Sequence, residues 1–107
     1  MNKHTIVVGD LFVSSWGYDQ TNIDFYQVVG VNPSGKTIKI QKISSKVIED
    51  GVMAGKATPV MNTFEGPVMT KLVKPSNHFG YSLKITSYAY AYFEADKTKA
   101  HYTSWCH

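Results

Sequence analysis

The sequence contains no arginine, so all 11 of its basic residues are lysine. Arginine binds guanine edges and phosphates through two parallel hydrogen bonds, whereas lysine offers only a point charge. The absence of arginine therefore argues against a sequence-specific DNA-binding protein. A net charge of +3 is too small to indicate more than a weak attraction to an anionic partner.

Cysteine is nearly absent as well, because Cys106 is the single cysteine of the chain. One cysteine excludes a framework of disulfides within the chain. No stretch approaches the ~18 consecutive apolar residues of a membrane-spanning helix, and the N-terminal residues lack the long apolar region of a signal peptide. We therefore expect a cytoplasmic protein with no membrane contact.

The rest of the composition is that of an ordinary globular protein, with 107 residues, 43% of them hydrophobic and 18% charged. A chain of this length forms one domain, and we expect that domain to span residues 1–107. Aromatic residues make up 13% of the chain and include seven tyrosines. Because a buried tyrosine needs a hydrogen-bond partner for its hydroxyl, some of these rings are expected to be half-exposed.

The clearest structural pattern is a predicted β-hairpin in the first half of the chain. Phe25–Val31 is rich in β-branched and aromatic residues, as strands are. Residues 37–43 begin with alternating apolar and polar side chains, which places their first two isoleucines inward. The sequence Asn-Pro-Ser-Gly at 32–35 is typical of the tight turn between such strands. After Lys42 the alternation changes phase, which indicates a β-bulge there.

The remaining segments also indicate strands, and no window shows a convincing helical period. Further strands are predicted at 11–13 and 68–73, and residues 81–93 and 100–105 indicate a second hairpin. Residues 49–67 contain several glycines and prolines and are predicted to be loop-rich, with their order undetermined. The predicted fold is all-β: a small single-domain barrel or a strongly curved antiparallel sheet, with a loop-rich middle segment.

The predicted second hairpin creates an aromatic face. A two- or four-residue loop would place Glu94 opposite Lys99, which is a favourable cross-strand pair. The same register places four aromatic residues and one histidine on a single face: Tyr88, Tyr90, Tyr92, His101 and Trp105. This face is either a platform on which a partner's side chains or nucleic-acid bases stack, or a part of the hydrophobic core.

The segment from Trp16 to Asp24 is the second candidate for a functional role. It is rich in aromatic and hydrogen-bonding residues and leads directly into an apolar strand, and such loops often carry function. Its candidate partner-binding residues are Trp16, Tyr18, Asp19, Gln20, Asn22 and Asp24. Alternatively, Asp19 and Asp24 form a carboxylate site, which would need a shielded cleft, or the polar residues only make local turns.

The lysines also form a pattern. Lys36, Lys39, Lys42 and Lys46 form a positive strip that is either a solvated sheet edge or an anion contact. Lys39 and Lys84 are the candidate anion contacts, placed near the phosphates of a nucleic acid or nucleotide.

The histidines and the cysteine near the C-terminus supply metal-binding atoms but not the pattern of a metal site. His101, Cys106 and His107, together with His78, lack the short-spaced pairs that zinc sites use. Nothing in the sequence shows a neighbour that would activate the Cys106 thiol. We therefore predict no metal site, no cofactor and no catalytic residue.

Two segments at the ends of the chain carry a resemblance. The first comprises Gly9-Asp10, SWGYDQTN at 15–22 and DFYQVV at 24–29, and the second comprises SYAYAY at 87–92 and YTSW at 102–105. In these two segments the chain resembles a group of small proteins encoded by phages and plasmids. Proteins of that group often have a Trp-Asp-Gly-Lys turn in the last hairpin, where this chain has Glu-Ala-Asp-Lys at 94–97. The resemblance implies no known activity. Small mobile-element proteins are, however, frequently inhibitors of host defence, such as anti-CRISPR proteins.

Three functions follow as hypotheses. The first is a non-enzymatic binding protein that inhibits or modulates a host protein, with the aromatic anchors that are enriched in interface hot spots. The second is a nucleic-acid or nucleotide binder that stacks bases on the tyrosine face. The third is an enzyme that uses Asp19 or Asp24. The sequence identifies neither the partner nor the oligomeric state.

Overall fold

The computed structural model describes residues 6–16, 22–51, 54–76, 80–86 and 89–104. They form eight strands: β1 (Leu11–Trp16), β2 (Asn22–Val31), β3 (Thr37–Gly51), β4 (Ala54–Leu72), β5 (Lys74–Ser76), β6 (Gly80–Thr86), β7 (Ala89–Glu94) and β8 (His101–Ser104). The predicted all-β class is confirmed. Within the described ranges there is no helix that could cross a membrane.

All eight strands belong to one antiparallel sheet in the spatial order β5-β6-β7-β1-β2-β3-β4-β8. β1 lies between β7 and β2, so the chain starts near the middle of the sheet and adds strands on both sides. Because side chains alternate along a strand, the sheet has two faces. We call the side that bears Phe12 and Ile40 the first face, and the side that bears Leu11 and Ile43 the second face.

The predicted first hairpin is confirmed. β2 pairs with β3, with Val28 opposite Ile40, and both side chains are fully buried. In the turn, the Gly35 N–H donates to the Asn32 carbonyl at 2.9 Å. Gly35 has a φ of 72°, which residues with a side chain rarely adopt, so this turn needs its glycine.

The first face carries the larger hydrophobic cluster. Its buried members are Ile6, Phe12, Tyr26, Val28, Ile38, Ile40, Leu83 and Ala91. The Phe93 ring packs edge-on against Phe12 and Tyr81, at centroid distances of 5.9 and 6.4 Å. Because Leu83 on β6 packs in the same cluster as Ile40 on β3, with three strands between them, the sheet curls around this face.

The curl brings β4 close to β6 without closing a barrel. The Lys71 ammonium on β4 donates to the Ile85 carbonyl on β6 at 3.1 Å. Over the described residues, no hydrogen-bonded ladder joins these two strands. Of the two architectures predicted, the protein therefore has the strongly curved sheet and not the closed barrel.

The second face is covered by the far parts of β3 and β4 and by β8. Leu11 and Phe25 pack here against Ile43 of β3 and Ala57 of β4, and all four are nearly or fully buried. β8 extends this layer by pairing with residues 54–57 of β4. Both faces of β1 and β2 are therefore buried, which makes these strands the centre of the fold.

The middle of the chain is strand rather than the predicted loop-rich segment. β3 continues to residue 51 and β4 begins at residue 54. The register of β4 shifts twice opposite residues 41–45 of β3, near the predicted bulge. Asn62 and Gly66 adopt left-handed φ values of 65° and 76° in this part of β4. The Gln27 side chain holds Asn62 by donating to its Oδ1 at 2.9 Å and accepting from its N–H at 2.8 Å.

The predicted second hairpin is wrong in its pairing. Residues 81–93 form parts of two strands, and β7 pairs with β6 and with β1. β8 pairs with β4, with His101 opposite Ala57 rather than opposite Tyr92. The predicted attraction between Glu94 and Lys99 does occur, at 3.8 Å, within the connection that leads from β7 to β8.

Candidate functional site at the polar end of the curled sheet

Two predicted binding residues, Trp16 and Asp24, meet on the first face of the sheet. β1 pairs with β2 so that Ser14 lies opposite Asp24 and Trp16 lies opposite Asn22. The even-numbered residues of β1, and those of β2 as far as Val28, therefore share the first face with Phe12. Trp16 and Asp24 are diagonal neighbours in this register, within reach of each other's long side chains.

Asp24 is the centre of a small polar group. The Trp16 indole N–H donates to Asp24 Oδ2 at 2.7 Å, and the Lys42 ammonium on β3 lies 3.4 Å from Asp24 Oδ1. The side chains of Lys42 and Asp24 are 44% and 20% exposed, so solvent screens their attraction to about 1 kcal/mol or less. Trp16 is half-buried, and its polar atom is already used inside the protein.

Two hydroxyl groups share this end of the first face. Tyr26 is buried, and its burial, together with the nearby charge of Asp24, raises the pKa of the phenol to about 12. The Tyr26 hydroxyl is therefore neutral at physiological pH. Ser14 is 1% exposed, and its Oγ has no hydrogen-bond partner among the described residues. A buried hydroxyl without a partner is uncommon in native proteins.

These side chains line a pocket of about 90 Å³, which we call the Asp24 pocket. Its lining comes from β1, β2, β6 and β7: Ser14, Trp16, Asp24, Tyr26, Ile85, Thr86 and Ala89. Ser14, Tyr26 and Ala89 are buried, whereas Thr86 is exposed and lies at the rim. The described part of the lining contains neither histidine nor cysteine.

The described tyrosines of β7 lie on the other side of the sheet. Tyr90 and Tyr92 belong to the second face, whereas Ala89 and Ala91 point into the first-face core, at 6% and 0% exposure. Tyr90 is 42% exposed, and it lies opposite Lys84 of β6. We call Tyr90, Tyr92 and Lys84 the outer tyrosine surface.

His101 lies at a structural junction. Its ring packs edge-on against Phe25 at a centroid distance of 5.6 Å. Its Nε2 is 3.5 Å from Glu94 Oε1 but is buried without a hydrogen bond from the described residues. Burial lowers the pKa of His101, and the Glu94 carboxylate opposes that effect. This histidine thus joins β8 to the second-face core.

The lysines do not converge on one site. Lys39 and Lys84 are exposed on β3 and β6, and three strands lie between them, a separation on the order of 19 Å along the sheet. Lys42 pairs with Asp24 on the first face, so the predicted strip is not one continuous surface. Among the residues the structure describes, no three histidine, cysteine or acidic side chains form a group that could hold a metal ion.

Several predicted residues lie outside the described ranges: Tyr18, Asp19, Gln20, His78, Tyr88, Trp105, Cys106 and His107. In turn, the sequence interpretation missed Ser14 and Tyr26 as site residues, and it treated Lys42 only as part of a charged strip. The sequence does contain an indication of this grouping, because Ser14 and Tyr26 have even residue numbers, as Trp16 and Asp24 do, and side chains alternate along each strand. Pairing the two strands about residues 17–21 would have placed all four on one face.

Comparison of the chain with protein-family models, with curated proteins and with solved structures finds no significant match.

Proposed function

We propose that this chain is a non-enzymatic binding protein that acts by covering part of the surface of a partner protein. The observation that supports this most directly is the exposure of Tyr90. It is 42% exposed on a strand whose neighbouring alanines are buried, so its ring is directed outward. A partly exposed tyrosine is a typical interface anchor, because it contributes a large contact area and has only two side-chain torsions to fix on binding.

The resemblance of both chain ends to small phage- and plasmid-encoded proteins suggests which class of protein the partner belongs to. Proteins of that group's size and origin frequently inhibit host defence. The proposed partner is accordingly a bacterial defence protein in the host cytoplasm, and the proposed mechanism is steric blockade of the anti-CRISPR type. This mechanism requires no cofactor and no reacting group.

The test is retention of a host protein by the immobilised chain, with identification by mass spectrometry and measurement of the affinity for that purified protein. Tyr90→Ser should weaken the affinity by about tenfold or more, as expected for a hot-spot residue. Phe64→Ser is the matched control, since Phe64 is an aromatic residue on β4 with 44% exposure. Equal affinity of Tyr90→Ser and the parent chain would contradict the role of the outer tyrosine surface.

A nucleic-acid or nucleotide binder is the second candidate, and the position of Lys84 favours it. Lys84 lies directly opposite Tyr90, so a base stacked on the ring would have an ammonium group near its phosphate. Phosphate contacts make affinity fall steeply with salt. A titration of labelled single-stranded oligonucleotides and nucleotides at several salt concentrations tests this candidate, and the absence of salt-sensitive binding would remove it.

A further inference from the structure

The Asp24 pocket has the charge of a cation site. Among the described lining residues, Asp24 is the only charged one, and the other oxygen-bearing side chains are the hydroxyls of Ser14, Tyr26 and Thr86. All of these groups can accept hydrogen bonds, and an ionised carboxylate only accepts them. An anion would meet the Asp24 charge directly, whereas a cation or a neutral donor would find acceptors.

The aromatic lining favours a cation over a neutral donor. Trp16 and Tyr26 both line the pocket, and aromatic rings attract ammonium and guanidinium groups through their negative faces. The tryptophan N–H is directed to Asp24 at 2.7 Å, which fixes the indole against the carboxylate. An aromatic ring held beside a carboxylate is a favourable setting for an organic cation.

Ser14 supplies an independent observation that points to a ligand. It is 1% exposed, lines the pocket, and keeps an Oγ without a hydrogen-bond partner among the described residues. The burial of a hydroxyl that makes no hydrogen bond costs desolvation free energy. A bound group that bonds to this oxygen would recover that cost.

The size of the pocket limits the ligand to the end of a side chain. At about 90 Å³ the pocket is well below the ~300–1,000 Å³ of pockets that hold a whole small-molecule ligand. That space suits an ammonium or guanidinium head group and is too small for a whole nucleotide. Lys42, 3.4 Å from Asp24 and 44% exposed, shows that an ammonium group is already attracted to this carboxylate from outside the lining.

We infer that the Asp24 pocket receives the cationic head group of a lysine or arginine side chain from the partner protein. This inference rests on the proposed function for the source of the cation. The pocket's chemistry can nevertheless be tested without the partner, because small cations reproduce the head groups. Lys42 competes with the incoming cation for Asp24, so its removal strengthens binding.

The experiment is a titration with methylguanidinium and methylammonium chloride at constant ionic strength, followed by NMR of the Trp16 indole N–H. The signal is assigned by its loss in Trp16→Phe. We expect a saturable shift with either cation and none with sodium acetate or inorganic phosphate. Asp24→Asn should weaken cation binding by about tenfold or more, as expected for a charged hydrogen bond.

Lys42→Gln is the variant that distinguishes binding from a structural effect. It should leave the fold intact and strengthen cation binding by about two- to fivefold, the range of an exposed ion pair. Glu49→Gln, which alters an exposed carboxylate on β3, should leave the affinity unchanged. The absence of a saturable shift with both cations, or weaker binding by Lys42→Gln, would overturn the inference.

The two proposals fail in different ways. If the small cations bind but no host protein is retained, the proposed function fails and the cation-binding chemistry of the pocket stands. If a host protein is retained through Tyr90 but the cations do not shift the Trp16 signal, the proposed function stands and the inference fails.

Discussion

The two aromatic segments of this chain look similar in the sequence and are placed in opposite ways by the fold. In β1 and β2, Phe12, Trp16 and Tyr26 turn toward the inside of the curled sheet, where Phe12 is fully buried. In β7, Tyr90 turns outward and is 42% exposed. The Trp16 indole N–H, in the first of these segments, donates a hydrogen bond to Asp24.

This difference shows that the neighbouring strands, rather than the number of aromatic residues in a segment, decide whether an aromatic ring is buried or exposed. A hydrophobic cluster lies on each face of β1, so an aromatic side chain on either face of this strand becomes part of the core or of the Asp24 pocket. On β7, small alanines occupy the inward positions and leave the outward ones to tyrosine. Substitutions in the two segments should therefore separate loss of stability from loss of binding.

The largest effect is expected from Phe12→Ala. Phe12 is 0% exposed and packs edge-on against Phe93 in the first-face core. Removal of a buried phenylalanine ring costs about 3–5 kcal/mol of unfolding free energy. Urea denaturation followed by circular dichroism measures it. A loss below about 1 kcal/mol would show that Phe12 is not in a packed core.

The next effect is expected from Asp24→Ala. It leaves the half-buried Trp16 N–H without its acceptor at 2.7 Å and removes the partner of Lys42. We expect a loss of about 1–3 kcal/mol in unfolding free energy. In a double-mutant cycle with Trp16→Phe the losses should be less than additive, because both substitutions remove the same hydrogen bond. Fully additive losses would argue against this bond.

A smaller, pH-dependent effect is expected from His101. Burial lowers its pKa, so the folded state binds this proton more weakly than the unfolded state does. The stability from His101 is therefore present above the ordinary pKa of 6.5 and is lost as the pH falls below that value. Unfolding free energies at pH 7.5, 6.5 and 5.5 should fall more steeply for the parent chain than for His101→Gln.

The smallest effect on stability is expected from Tyr90→Ala. Tyr90 is 42% exposed and lies outside both hydrophobic clusters, and surface substitutions of this kind change the unfolding free energy by about 0.5 kcal/mol or less. The same denaturation experiment used for Phe12→Ala measures it. A loss of several kcal/mol would mean that Tyr90 is a structural residue, and it would remove the distinction between the two aromatic segments.

The parts of the fold that were predictable depend on local signals. The hairpin of β2 and β3 follows from the β-branched and aromatic residues before the turn that ends in Gly35 and from the alternating isoleucines after it. The partner of β8 depends instead on residues 54–57, which are remote in the sequence. The turn formed by Asp96 and Thr98 has the residues of a hairpin turn, and these predict that the strands on either side of it pair with each other. In the structure the strand that follows the turn, β8, pairs with β4 instead.

The candidate site was only partly predictable for a related reason. Trp16 and Asp24 were selected for their chemistry, but their contact depends on the register of β1 with β2. Ser14, Tyr26 and Lys42 have ordinary side chains for a strand, and only the curl of the sheet makes a pocket beside them. Glycine and proline in β4 predicted a loop because bulges and loops use the same residue types.

The bulged part of β4 also bears on whether molecules of this chain can pair through the edge of the sheet. Beyond residue 57, β4 has one hydrogen-bonded neighbour in the described sheet, and Val68 and Leu72 are half-exposed along it. Such a strand is a template for fibril-like pairing between molecules. Pro67 has no N–H to donate, and the left-handed Asn62 and Gly66 interrupt the regular pleat. These three residues thus leave residues 68–72 as the longest uninterrupted part of this edge, which shortens the stretch available to an intermolecular sheet.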